Sequence, residues 1–312
     1  MSMRIFAAVR HSTHPRFYHG GLWSGNFYPA LRQLNHEIVE SQVDLLPTSR
    51  FMHIASDFTS QELEVRAQTT QRIVEEVREA HRRKPIDLFL SYFYNPHFDP
   101  GGFDQIKELG IPTVNFYCNS IYQFDLVAEI ASHVDFSWHA EKEARDLYLK
   151  IGANPVWFQM GADPLVYHPV PDQSRESKAC FIGMRYADRR RLLAELIRND
   201  VTVDVYGSGW LKSNGGSNGN GSLSDSVYLG RPRTKPGTIK SYAQVAAENI
   251  RAQGFVVGLA RGISQFEHKR SSAKLSPVIS SCAKGFAPSI SETFAKYEVN
   301  LNFSNVWADG RP

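Results

Sequence analysis

The chain has 312 residues, 42% of them hydrophobic, which is more than one usual core needs and sets an expectation of two domains of about 150 residues each. Its 35 Lys and Arg against 32 Asp and Glu leave a formal charge of +3, too mild to require a nucleic-acid partner, and no apolar run is long enough to cross a bilayer. Three widely spaced cysteines, Cys118, Cys180 and Cys282, carry no paired metal-ligand spacing and are odd in number, so a reducing, cytoplasmic compartment fits best.

In chain order, residues 3–9 read as a first buried strand, too short for the core of a signal peptide. A polar and aromatic loop follows, in which Gly20 and Gly21 let backbone approach a ligand and Trp23 can line a cleft, though the same residues suit a plain turn between strand and helix. His11 and His14 lack a third ligand nearby and read as solvent-facing, so no metal site is expected. A helix over 24–35 and a strand around Ile38 complete the unit. Residues 60–83 form a long amphipathic helix with Leu63, Ala67, Thr70, Ile73, Val74 and Val77 on one face. Then come a strand over 86–93, a short helix over 103–109 and a strand over 112–117. His97 and Asp99 follow the first of these strands at its carboxyl end, where open α/β sheets bind ligands. With Asp125 they are the candidates for acid or base work.

A strand over 134–137, a helix over 141–151 and a strand over 155–158 lead to Pro164, Pro169 and Pro171, which break the pattern. The domain boundary falls there, giving 1–170 and 171–312. Residues 178–182 form an apolar run closed by Gly183, residues 187–198 carry Leu192, Leu193, Leu196 and Ile197 at helical spacing, and 202–206 alternates until Gly207 and Gly209. Strand, glycine turn, helix, strand is half of a doubly wound sheet. Backbone N–H groups at such a helix start favour an anion, and Arg185, Arg189 and Arg190 lie in or just after the turn. An arginine there can grip a phosphate with paired hydrogen bonds. On the plainer reading, Gly183 only turns the chain and the arginines form a solvated face. The glycine-rich 213–222 lacks the Lys-Ser/Thr of a phosphate cradle and reads as a flexible loop. Residues 242–252 look helical, 255–260 strand-like, and Lys269, Arg270 and Lys274 read as solvated surface. A last buried strand lies within 294–303.

Four pieces in this order, GNFYPALRQLNHEIVE, GIPTVNFYCNSIYQFD through ADPLVYHP, CFIGMRYADRRRLLAEL with VDVYGSGW, and YEVNLNFSNVWADGRP, resemble the CgeB-like, spore-maturation-type glycosyltransferases of the GT-B fold. The resemblance implies two Rossmann-like doubly wound domains facing a cleft. The C-terminal domain would take a nucleotide-diphospho-sugar and the N-terminal one an acceptor of unknown chemistry. It also implies catalysis without a metal or other cofactor, basic side chains and helix dipoles carrying the charge of the leaving diphosphate. The positions matching the family's donor-domain turns are Gly183, Met184, Arg185, Tyr186, Arg189, Gly207, Gly209 and Trp210. Two departures stand out: Cys118-Asn119-Ser120 occupies the place of an acidic pair, and the family continues past NFSNVWADGRP to a ribose-holding glutamate, so the C-terminal domain reads as incomplete.

Glycosyl transfer from a nucleotide sugar is the first expectation. A non-catalytic binding or assembly module of the same fold is the second, favoured by both departures. A nicotinamide-dependent oxidoreductase fits the sheet pattern only generically, because no GxGxxG turn follows the first strand.

Overall fold

The computed structural model describes residues 2–11, 22–51, 54–118, 120–159, 161–165, 167–170, 174–185, 189–207, 209–211 and 277–303. Gly20, Gly21, Tyr186, the 213–222 loop, the 242–252 and 255–260 elements and Lys269, Arg270 and Lys274 lie outside the described residues. The chain divides into two compact units between Asp163 and Pro164.

The first unit holds a six-stranded parallel sheet built from β1 (Arg4–Ala8), β2 (Glu37–Glu40), β3 (Leu88–Ser91), β4 (Thr113–Tyr117), β5 (Phe136–His139) and β6 (Pro155–Trp157), in the order β2-β1-β3-β4-β5-β6. Helices cover both faces. Helix α1 (Leu22–Gln33) sets Trp23 and Phe27 edge-on to Phe116 at 5.1 and 5.2 Å, whereas Phe103 of α3 (Pro100–Lys107) packs edge-on to Phe89 at 6.2 Å. Phe89 and Phe116 point to opposite sides because side chains alternate along a strand and Phe89 pairs with Thr113.

Helix α2 (Ser60–Arg83) is set by its ends. Thr59 accepts the Glu62 N–H while the Glu62 carboxylate accepts the Thr59 N–H at 2.8 Å, a reciprocal cap, and Pro85 follows the C-terminus. Its stripe of Ile73, Val74, Val77 and Ala80 is buried in the core, and so is Arg66, only 2% exposed. The Arg66 guanidinium is neutralised by Glu129 at 2.8 Å and Asp99 at 3.0 Å, which ties α2 to α3 and to α5 (Ala128–Ala131), α4 being the turn Ser120–Gln123. Helix α3 begins at Pro100, earlier than the apolar spacing predicts, because Asp99 caps it by accepting the Gly101 N–H at 3.0 Å. A side chain on Gly102 would stand 2.4 Å from Thr70 Cγ2, so the glycine sets how closely α3 approaches α2.

The second unit holds a four-stranded parallel sheet of β7 (Glu176–Ile182), β8 (Val203–Tyr206), β9 (Ala283–Gly285) and β10 (Tyr297–Leu301), in the order β10-β7-β8-β9. Helices α7 (Arg189–Arg198) and α8 (Ile290–Ala295) belong here, α6 (Arg145–Lys150) lying in the first unit. Leu193 and Ala194 of α7 share a buried core with Ala179, Phe181, Val203 and Val205. The opposite sheet face is polar. There Tyr206 meets Tyr297 at 2.7 Å, Tyr297 donates to the buried Asp204 carboxylate at 2.9 Å, and Lys284 stands 3.4 Å from the same group. Both units are thus α/β with parallel sheets.

Candidate functional sites at the two switch points

In a parallel open sheet a crevice opens outside the carboxyl ends of the two neighbouring strands from which the chain departs in opposite directions. The strand orders place one such point between β1 and β3. In the second sheet the chain steps from β7 to β8 and β9 on one side and adds β10 on the other side of β7, so the order reverses between β7 and β10.

At the first, β1 runs on to His11 and β3 to Tyr92, Tyr94 and His97. The half-buried His11 ring stacks on Tyr92 at 4.8 Å and 12° and lies 4.4 Å from the His97 ring. Its Nε2–H donates to the Tyr92 carbonyl. His97 is buried, its Nδ1 accepts the Tyr94 N–H at 3.0 Å, and its Nε2–H therefore faces the Ser49 hydroxyl at 3.0 Å. Burial pushes His11 down to about 4, and burial followed by the neighbouring His11 pushes His97 well below the usual histidine range. Tyr92 and Tyr94 share a hydroxyl hydrogen bond of 2.8 Å, Cys118 stands 3.4 Å from Tyr92, and Trp23 packs edge-on to Tyr92 at 5.6 Å. Among the described residues, the groups in contact with these rings are aromatic or uncharged.

The predicted acid-base residues are held by separate sets of partners. His97 has both nitrogens engaged, Asp99 caps α3 and pairs with Arg66, and Asp125 is exposed on the turn Phe124–Leu126, where its carbonyl accepts the Asn95 side-chain amide at 2.8 Å. His11, read from the sequence as solvent-facing, instead stands half-buried among the rings. The signal for it was its place directly after a buried strand, with YFYNPH at the end of the neighbouring one.

At the second switch point the turn after β7 is locked from two sides. The Gly183 N–H continues the sheet by donating to the Tyr206 carbonyl at 2.9 Å, and the Gly183 carbonyl accepts Trp210 Nε1–H at 2.7 Å. A Cβ on Gly207 would stand 2.2 Å from the Gly183 oxygen, and Gly207 has φ +123°, so only glycine fits there. Gly209, at φ +82°, lets its backbone lie against Arg185. The groups that face outward are the exposed Met184 and Arg185 and the start of α7, whose first turn carries no acid. Burial, and then the nearby Arg185 guanidinium, lower Arg190 from the usual arginine range. An exposed guanidinium beside a helix start favours an anion. Arg189 turns the other way, its Nη1 donating to the Met184 carbonyl and its Nη2 to the Phe303 carbonyl, both at 3.2 Å.

Among the described residues no group of three His, Cys, Asp or Glu side chains is placed to hold a metal ion, and no helix is long and apolar enough to cross a membrane. No family model and no curated protein matches the sequence. Among solved structures, the chain is similar to MurG of Acinetobacter baumannii at TM-score 0.35 and 8% identity, over 72% of this chain and 62% of that one. It is similar to the glycosyltransferase SnogD from Streptomyces nogalater at TM-score 0.34 and 14% identity, over 91% and 96% of the two chains. It is also similar to the Glycosylation Associate Protein (Gap123) complex from Streptococcus agalactiae at TM-score 0.26 and 13% identity, over 44% of this chain and 29% of that one. Likenesses at these scores decide nothing about individual residues, and the fold class rests on the two sheets themselves.

Proposed function

We propose that the chain is a glycosyltransferase of the GT-B kind, moving a sugar from a nucleotide-diphospho-sugar to an acceptor without a metal. The observation that carries the reading is the exposed Arg185 in the glycine-locked turn after β7, at the switch point of the second sheet. In the transfer the anomeric C–O bond to the diphosphate breaks, a bond to an acceptor hydroxyl oxygen forms, and the hydroxyl proton passes to a base. Negative charge grows on the leaving diphosphate, and a guanidinium beside a helix start stabilises it where it develops. The aromatic groups at the β1/β3 point suit the acceptor side, and Asp125 is the exposed carboxylate among the three candidate bases. Free thiols at Cys118, Cys180 and Cys282 support a cytoplasmic setting.

Calorimetric titration against UDP, GDP, dTDP and CMP, with NADH as control, tests the reading. One nucleotide is expected to bind, and Arg185→Ala to weaken it by about 1.5–3 kcal/mol, the worth of a hydrogen bond to a charged group. Equal affinity of the variant would remove Arg185 from the site. The tied-up His97 and Asp99 favour, as a second reading, a binding module that shares the nucleotide site and does not turn over. Donor hydrolysis or sugar transfer by the purified chain excludes it.

A further inference from the structure

The donor reading leaves open why three arginines stand near one turn, and their geometry separates them. Arg189 opens α7, and its guanidinium lies over the Phe181 ring at 5.5 Å. From there it reaches the Met184 carbonyl in the β7 turn and the Phe303 carbonyl just past β10. These carbonyls belong to the two lips of the switch-point crevice. The Phe181 and Phe303 rings, 5.2 Å apart, pack beside the same guanidinium. Gly183 makes this possible, since a Cβ there would stand 2.9 Å from Phe181 Cζ and 3.2 Å from Arg189 Nη1. The glycine that reads in the sequence as a phosphate turn thus leaves room for an arginine that bonds to backbone. A carbonyl oxygen turned toward the crevice would repel an anion. A guanidinium that holds two carbonyls in its fork keeps their negative ends away from it and fixes the spacing of the lips.

We propose that Arg189 is a positioning residue of the anion site. It clamps the Met184 and Phe303 carbonyls so that the β7 turn presents Arg185 and the α7 start to a diphosphate, and it does not touch the diphosphate itself. The proposal rests on the donor reading of this crevice. Trp210 supplies an internal reporter, because its buried indole N–H donates to Gly183 in the clamped turn.

The test compares wild type with Arg189→Ala, Arg189→Lys and Arg185→Ala. Inorganic pyrophosphate and UDP are titrated, and the indole resonances of 15N-tryptophan-labelled protein are followed, with Trp210→Phe assigning the reporter. Ligand-free Arg189→Ala is expected to move the Trp210 resonance and to weaken pyrophosphate about tenfold, because the unclamped turn no longer holds Arg185 in its charge-assisted contact. Arg189→Lys, whose single ammonium is no planar fork, is expected to do the same, and free guanidinium ion to restore Arg189→Ala in both readouts. Ligand-free Arg185→Ala is expected to leave the reporter in place while losing affinity. Unchanged affinity in a folded Arg189→Lys overturns the proposal. So does lost affinity with the reporter unmoved, which would make Arg189 a direct contact. If wild type binds neither pyrophosphate nor any nucleotide, the donor reading itself falls, and a shifted reporter then shows a clamp that serves stability alone.

Discussion

The two sheets of this protein make the same topological offer and fill it with opposite chemistry. At the β1/β3 point, rings close on rings, both nitrogens of His97 are engaged inside the protein, and nothing charged faces the imidazole pair among the contacts described above. At the β7/β10 point, glycines pull the backbone together and arginines stand over it, Arg189 bonded to carbonyls and Arg185 exposed. Strand order alone therefore locates a crevice. What the crevice can hold is decided by the first few residues after each strand.

The comparison breaks most visibly through Gly207. Replacing it with Ala forces a Cβ onto the Gly183 carbonyl at a φ that side chains rarely adopt, and is expected to cost about 3 kcal/mol. Hydrogen exchange should show protection lost in peptides from 176–211 and 277–303 while the first unit keeps its own. Wild-type protection in Gly207→Ala would mean that the close approach of the two turns holds nothing.

Acid should act on the other unit. Because His11 is pushed from 6.5 to about 4 in the folded chain, the unfolded chain binds more protons between those values. Stability is therefore full above pH 6.5 and falls on acidification through that window, by about 3 kcal/mol from His11 alone, His97 adding in the same direction. Urea unfolding of wild type and His11→Asn at neutral and at acid pH measures it, with the variant expected to show the flatter profile. Parallel profiles would place His11 in water. The smallest effect is expected from Thr59→Ala, which removes one half of the α2 cap and should cost about 1 kcal/mol in the first unit alone.

Much of this architecture was legible in the residues. Helix α2 begins and ends where its pattern says, because the Thr59–Glu62 cap and Pro85 are local signals. The strand–turn–helix–strand around Gly183 was equally readable from apolar spacing. The sites were harder. Asp99 followed by Pro100 is a helix start as much as a carboxylate at a strand end, and only the position of Arg66 on α2 shows which way it turns. Where each arginine turns was invisible, since Arg189 is held by a carbonyl 114 residues further along the chain. His11 escaped because its burial comes from Tyr92 and His97, side chains brought to it by strand pairing rather than by sequence neighbours.

The central claim is that a nucleoside diphosphate belongs to the glycine-and-arginine crevice and not to the aromatic one. Mapping the nucleotide that binds most tightly by its effect on assigned amide and imidazole resonances tests it directly. Shifts are expected at 183–185, 189–191 and Phe303, with the His11 and His97 imidazoles unmoved. Shifts confined to His11, Tyr92 and His97 would contradict the assignment of donor chemistry to the second unit.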